Sequence, residues 1–250
     1  MTNNKIKKSF RDPSSFIIES NNQILRAIEK QKKNFYENLF KEKWYQNLVN
    51  DKKIQSSEWI KNDVVDLEYY WVKHKKFNFP LYPHEICAEQ LYHSACLTLD
   101  IAKLALKNNI ILKDASAWNI VFDGSKPIFC DVTSFEQWQG GKLWFAYGQF
   151  CRHFVIPLLL HKHLNIPIAK LFLTNRDGIK PKDARHMLGW KVLKNLCAIE
   201  TILLPTLFED KFEKNIPSNQ SKNSASLKIF DNTINRLKKY INNLQPSKLI

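Results

Sequence analysis

An α+β fold is predicted by three observations. Before residue 82 the apolar residues fall in short strand-like runs. From Glu85 to Lys107 they recur at helical spacing as Ile86, Leu91, Ala95, Leu99, Ala102 and Leu106. Between Asn119 and Asp131 two short apolar runs flank an Asp123-Gly124 turn signal. The expected organisation is a loose basic arm at 1–12, a small strand-bearing part at 13–81 and a mostly helical part at 82–215. A polar linker at 216–226 and a C-terminal helix at 227–250 follow.

In chain order, Phe16–Glu19 and Gln23–Ile28 read as strands joined by Ser20-Asn21-Asn22. Phe35, Leu39, Phe40, Trp44 and Leu48 trace one helix over Lys33–Val49. A polar connection at 50–63 leads to aromatic-rich strands over Val64–Val72 and Phe77–Tyr82, turning through Lys73–Lys76. Tyr82-Pro83-His84-Glu85 then breaks the strand before the long helix. Ile110-Ile111-Leu112 is a short strand, and Ile120–Phe122 with Pro127–Cys130 forms a hairpin. Helices are expected over Leu143–His163, interrupted near Pro157, and over 167–176, 181–196 with continuation to 204, and 224–244. The last is amphipathic, through Leu227, Phe230, Ile234, Leu237 and Ile241.

Composition narrows the function classes. The 250 residues, 44% of them hydrophobic, can bury a full core. No apolar run approaches the ~20 residues of a membrane span, and the basic N-terminus has no apolar signal core. Five cysteines, an odd number without CxxC, read as reduced thiols of a cytoplasmic protein. The net charge of +14 suits anionic ligands, yet the lysines are scattered and no nucleic-acid motif accompanies them. Six glycines include no G-x-G-x-x-G and no Walker A sequence, so no Rossmann-type cofactor site, and no SAM site of that kind, is encoded. Cys151, His153, His161 and His163 resemble metal ligands only in a list. Residues two apart on a helix point about 200° apart and cannot meet at one ion.

The chemistry concentrates in Leu112–Phe135. A hairpin with equal arms returns to its starting edge, so Asn119 before it and Asp131 after it are expected side by side, with Asp114 facing them from a polar loop. Three hard oxygen donors suit Mg²⁺ and phosphate. The spacing resembles the catalytic and metal-binding loops of the protein-kinase and aminoglycoside-phosphotransferase folds. That resemblance implies a small N-lobe and a helical C-lobe, with Mg²⁺ and ATP as cofactors. Asp114 would orient or deprotonate an acceptor hydroxyl, and Asn119 and Asp131 would hold the metal. A strand cation should meet the nucleotide phosphates: Arg26 is the first candidate and Lys30 the second, with Glu37 or Glu42 on the following helix to pair it. The sequence departs from the pattern in Leu112-Lys113-Asp114, in the missing glycine after Asp131, and in the glycine-free N-terminal hairpin.

Further segments carry a second resemblance: Arg11–Phe16, Tyr82–Glu85, Leu112–Asn119, Pro127–Glu136 and Gln149–Phe154. They resemble the region that precedes the methyltransferase domain in bacterial SAM-dependent, nodulation-type methyltransferases. This implies a stand-alone, truncated or split form without the methyltransferase domain itself. Two functions follow as expectations. The first is a Mg-nucleotide-binding phosphotransferase acting on a small-molecule or glycan hydroxyl. The second is an inactive, pseudokinase-like accessory module of a methyltransferase partner.

Overall fold

The computed structural model describes residues 16–20, 23–60, 69–140, 144, 146–207 and 224–246. The expected basic arm, the Asn21-Asn22 turn and most of the polar linker lie outside them. The chain divides into two units, one of residues 1–80 with Ile128–Thr133 and one of residues 81–127 with 134–250.

The first unit is built on a four-stranded antiparallel sheet of β1 (Ile17–Ser20), β2 (Gln23–Glu29), β3 (Ser57–Trp59) and β4 (Tyr69–His74), in the order β1-β2-β4-β3. On β2 the residues Ile24, Arg26 and Ile28 share one face, opposite His74, Val72 and Tyr70 of β4. Phe16 covers the other face, with its ring edge-on to Tyr69 and Trp71 at 5.0 and 5.4 Å.

Helix formation after β2 is interrupted where the sequence predicts one continuous helix. α1 (Lys33–Lys41) and α2 (Lys43–Asn50) are separated by Glu42 in an extended conformation with ψ 130°. The Glu42 N–H closes the last turn of α1 on the Leu39 carbonyl at 3.1 Å, and α2 then starts afresh with Trp44 and Tyr45 both buried. The break lets Tyr45 pack on Phe40 at 5.5 Å. Two other expectations are corrected. β3 lies inside the stretch read as a polar connection, and β4 runs through Lys73-His74, read as a turn. Residues 77–82 form no strand.

The second unit starts with α3 (Ala88–Lys107), entered through a capping box in which the Gln90 side chain accepts from the Cys87 N–H at 3.0 Å. α3 delivers the chain into β5 (Ile110–Leu112), and β6 (Ile120–Asp123) and β7 (Lys126–Phe129) form the hairpin, turning at Gly124 with φ 64°. β8 (Phe135–Gln137) pairs antiparallel with β5. The helical remainder is α4 (Tyr147–Phe150), a π-helical turn at Cys151–Val155, α5 (Ile156–Leu164), α6 (Ile168–Thr174), α7 (Pro181–Leu188), a 3₁₀ turn at Gly189–Lys194, α8 (Leu196–Ala198) with a helical continuation to residue 207, and α9 (Ser224–Asn243). α9 buries Phe230, Ile234, Leu237 and Ile241, and its Asn235 accepts from Lys103 of α3 at 2.6 Å. The fold is thus α+β and kinase-like in its order of elements: a small sheet-bearing unit, then long helix, short strand, Asp loop, hairpin and Asp.

Pro157 does not interrupt its helix. The preceding turn widens to i→i+5 spacing, with the Ile156 N–H donating to the Cys151 carbonyl. In that spacing the Arg152 carbonyl would need the N–H that Pro157 lacks. The Ile179 N–H takes its place at 2.9 Å. Such a close approach requires the backbone of Gly178, whose φ is +78° and whose absent Cβ would lie 2.8 Å from the Arg152 carbonyl carbon and oxygen.

Candidate functional site

In the first unit, β2 carries Arg26 on the face it shares with Ile24 and Ile28, so the guanidinium is aimed inward and the residue is 8% exposed. A buried guanidinium needs partners, because taking it out of water costs several kcal/mol. Its Nη1 donates to Asp131 Oδ1 at 2.7 Å and to Thr133 Oγ1 at 3.0 Å. The Thr133 hydroxyl and N–H also donate to Asp131 Oδ1, at 2.7 and 3.2 Å, and Tyr36 donates to the Thr133 carbonyl at 3.2 Å. The segment bearing Asp131 is anchored just upstream. Phe129 exchanges two backbone hydrogen bonds with the Lys53–Gln55 stretch, both at 2.9 Å, and its ring is fully buried.

His74 lies on the Arg26 face of the sheet and is 2% exposed. Its Nδ1 is 3.2 Å from both Ser57 Oγ and the Ser56 carbonyl, and among the described residues its Nε2 has no hydrogen-bond partner. Burial first, and the Arg26 charge second, push its pKa down to about 4. The unfolded chain takes up this proton near pH 6.5, the folded chain only near 4, so the unfolded state holds more protons in between. Stability is therefore expected to fall as pH drops through that window, by about 3 kcal/mol in all. Urea titrations of wild type and His74→Gln at pH 7 and 4.5 check this: the variant should lose less stability on acidification.

Asp114 and Asn119 belong to the second unit. The loop that carries them is held by its own backbone and by α4. The Ser116 N–H donates to Asp114 Oδ1 at 2.9 Å, and the Ala115 N–H donates to the Gln149 side-chain oxygen at 2.7 Å. Asn119 ends a 3₁₀ turn capped by Ser116, and its Nδ2 donates to Ser134 Oγ at 3.2 Å, which fixes how the amide is turned. Lys113 continues the β5–β8 pairing, with its N–H donating to the Ser134 carbonyl at 2.8 Å. Trp118 anchors the loop outside: its indole N–H donates to the Arg176 carbonyl at 2.8 Å, and Tyr82 and His84 pack on its ring.

The structure thus brings Arg26 and Asp131 together in one unit, and Asp114 and Asn119 within one loop of the other. Glu37 takes a different place from the one expected. It stands on the partly exposed side of α1 in an i,i+4 pair with Lys33 at 3.4 Å, while the acid facing Arg26 is Asp131. Lys30 is exposed in the turn after β2. Sequence reasoning missed His74, Thr133, Tyr36 and Gln149. His74 could have been found from the alternation Tyr70, Val72, His74, and Gln149 stands first in one of the blocks quoted for the family resemblance.

Asp131 in the first unit and Asn119 in the second each carry an oxygen of the type that suits a hard cation. Among the described residues no three His, Cys, Asp or Glu side chains gather as a metal cluster, and no helix is long and apolar enough to cross a membrane. All five cysteines are free. Burial pushes the Cys130 and Cys197 thiols up to about 12, so neither supplies a thiolate nucleophile.

No family model matches the chain. The chain is similar to the nodulation protein NoeA of Rhizobium meliloti (strain 1021), 26% identical over 202 residues, which cover 77% of this chain. It spans only 42% of the length of that relative. Among solved structures it is similar to vaccinia related kinase 3, with a TM-score of 0.43, 13% identity, and 96% of this chain and 86% of that one covered. It is also similar to the Cydia pomonella granulovirus kinase PK-1, with a TM-score of 0.39, 12% identity, and 80% and 92% covered.

Proposed function

We propose that the chain is a kinase-like module that binds a Mg-nucleotide and transfers phosphate to a hydroxyl of a small molecule or glycan. The observation that carries this reading is the Arg26–Asp131 pair: a cation and a carboxylate 2.7 Å apart, both part-buried, on the strand and the post-hairpin segment. These are the two charges a Mg-nucleotide requires of a protein. Arg26 presents a planar fork suited to phosphate oxygens, with exposed Lys30 as a second cation, while Glu37 stays with Lys33. Asp131 supplies a carboxylate and Asn119 an amide oxygen for Mg²⁺, which when bound neutralises charge on the phosphates. Asp114, fixed through the Ser116 N–H, orients the acceptor hydroxyl and takes its proton.

A thermal-shift titration tests the reading, with ATP and MgCl₂ against wild type and Asp131→Asn, and with SAM as control. Binding at a hundredfold excess over Kd adds about 2.7 kcal/mol. The expected result is a Mg²⁺-dependent rise in Tm, lost in the variant and absent with SAM. Once an acceptor is found, Asp114→Asn should lower phosphotransfer by about 10²–10⁴-fold.

A second reading is a catalytically inactive accessory module of a SAM-dependent methyltransferase system. It is favoured by Asp131 Oδ1, which already accepts from Arg26 and Thr133, and by the absence of glycine from β2. A folded wild type that shows no shift with Mg-ATP would select it, and capture of a methyltransferase partner would follow.

A further inference from the structure

The second unit displays an exposed apolar row that neither reading uses. Met187, Trp190, Leu193 and Leu196 follow one another at intervals of three, and their exposures are 44%, 65%, 65% and 64%. The interval matches the local backbone. Gly189–Lys194 is a 3₁₀ turn, with three residues per turn, so residues i and i+3 stand in line. The turn therefore sorts its side chains into three rows. Trp190 and Leu193 form the apolar one, Lys191 and Lys194 the cationic one beside it, and Val192, 2% exposed, is the inward anchor.

Three polar contacts hold this segment in place. Lys191 Nζ donates to the His163 carbonyl at 3.5 Å, Asn195 Nδ2 lies 3.4 Å from His163 Nε2, and Asn195 Oδ1 accepts from the Cys197 N–H at 2.9 Å. The charge around it is one-sided. Lys180, Lys182, Arg185, Lys191 and Lys194 face a single acid, Asp183, which leaves +4 (five minus one) over residues 180–194. Lys194 lies over the Trp190 ring, 4.1 Å from its centroid.

We propose that this row is a docking surface for an anionic lipid bilayer, bound at headgroup level. A single file of Trp and Leu on the outside of a helical turn is convex, and a soft headgroup layer accepts it without a preformed groove. Trp prefers that depth, and the flanking lysines reach anionic headgroups along their apolar stems. The contact is peripheral, and it is independent of the nucleotide reading.

Co-sedimentation of the full chain with phosphatidylcholine vesicles, with and without phosphatidylglycerol, tests it at low and high salt. Binding should require phosphatidylglycerol and weaken with salt. It should fall about fivefold for each of Lys191→Gln and Lys194→Gln, and about tenfold or more for Trp190→Ala with Leu193→Ser. All these positions are exposed, and unchanged melting temperatures confirm that the variants fold. Failure of wild type to bind, equal binding to neutral vesicles, or binding untouched by the variants overturns the proposal. So does a concentration-dependent dimer that the Trp190→Ala, Leu193→Ser variant abolishes, which would assign the row to a second copy of the chain.

Discussion

Replacing Arg26 by Met is expected to destabilise the protein by about 3–5 kcal/mol, because it strands the Asp131 carboxylate in a site where it is 19% exposed. For a chain of this size that corresponds to a fall in Tm of about 10 °C. The loss is not the worth of the ion pair, since an apolar pair of similar volume can replace buried charges at little cost. Arg26→Met combined with Asp131→Leu should therefore recover most of the stability. Chemical denaturation of the two single variants and the double variant measures the coupling. A double variant no more stable than Arg26→Met would show that the Thr133 and Tyr36 bonds, rather than the stranded charge, govern the site.

Gly178→Ala is expected to cost about 3 kcal/mol or more, through two separate effects. The φ of +78° is strained for any residue with a Cβ, and the new methyl would sit 2.8 Å from the Arg152 backbone carbonyl. Relief by moving residues 178–179 outward would pull the Ile179 N–H off that carbonyl, the one whose helical partner Pro157 lacks. Pro157→Ala in the same background should restore part of the stability, because it returns an N–H to the helix. Thermal melts of the single and double variants decide between strain and lost hydrogen bonding.

Much of the fold was legible where a single period dominated. α3 and α9 show long apolar stripes, and the hairpin around Gly124 carries its turn signal and two short apolar arms. Legibility failed where neighbours overrode the period. α1 and α2 share a continuous helical pattern, and nothing in the spacing of Phe35, Leu39, Phe40, Trp44 and Leu48 marks the break at Glu42. The stretch 77–82 has the aromatic content of a strand, yet no strand forms there. For the candidate site, residue chemistry nominated Arg26, Asp131, Asp114 and Asn119, and the structure pairs the first two. Residue chemistry could not choose the acid that faces Arg26. Glu37 is 11 residues away and helical spacing made it attractive, whereas Asp131 lies 105 positions downstream. His74 was hidden by the lysines around it, which made a buried strand end look like a turn.

The inclusion of Ile128–Thr133 in the first unit has a consequence for synthesis on the ribosome. When Arg26 leaves the exit tunnel, the acid that neutralises it has not been made. At about 5–20 residues per second the wait is roughly 5–20 s. During that time Arg26 lacks the Asp131 carboxylate, and the place beside Lys53–Gln55 where Phe129 will lie is open. A fragment ended at Pro80 would lack both Asp131 and Phe129 permanently. The N-terminal unit is therefore encoded as two separated pieces of the message, and translation beyond codon 133 is what completes it.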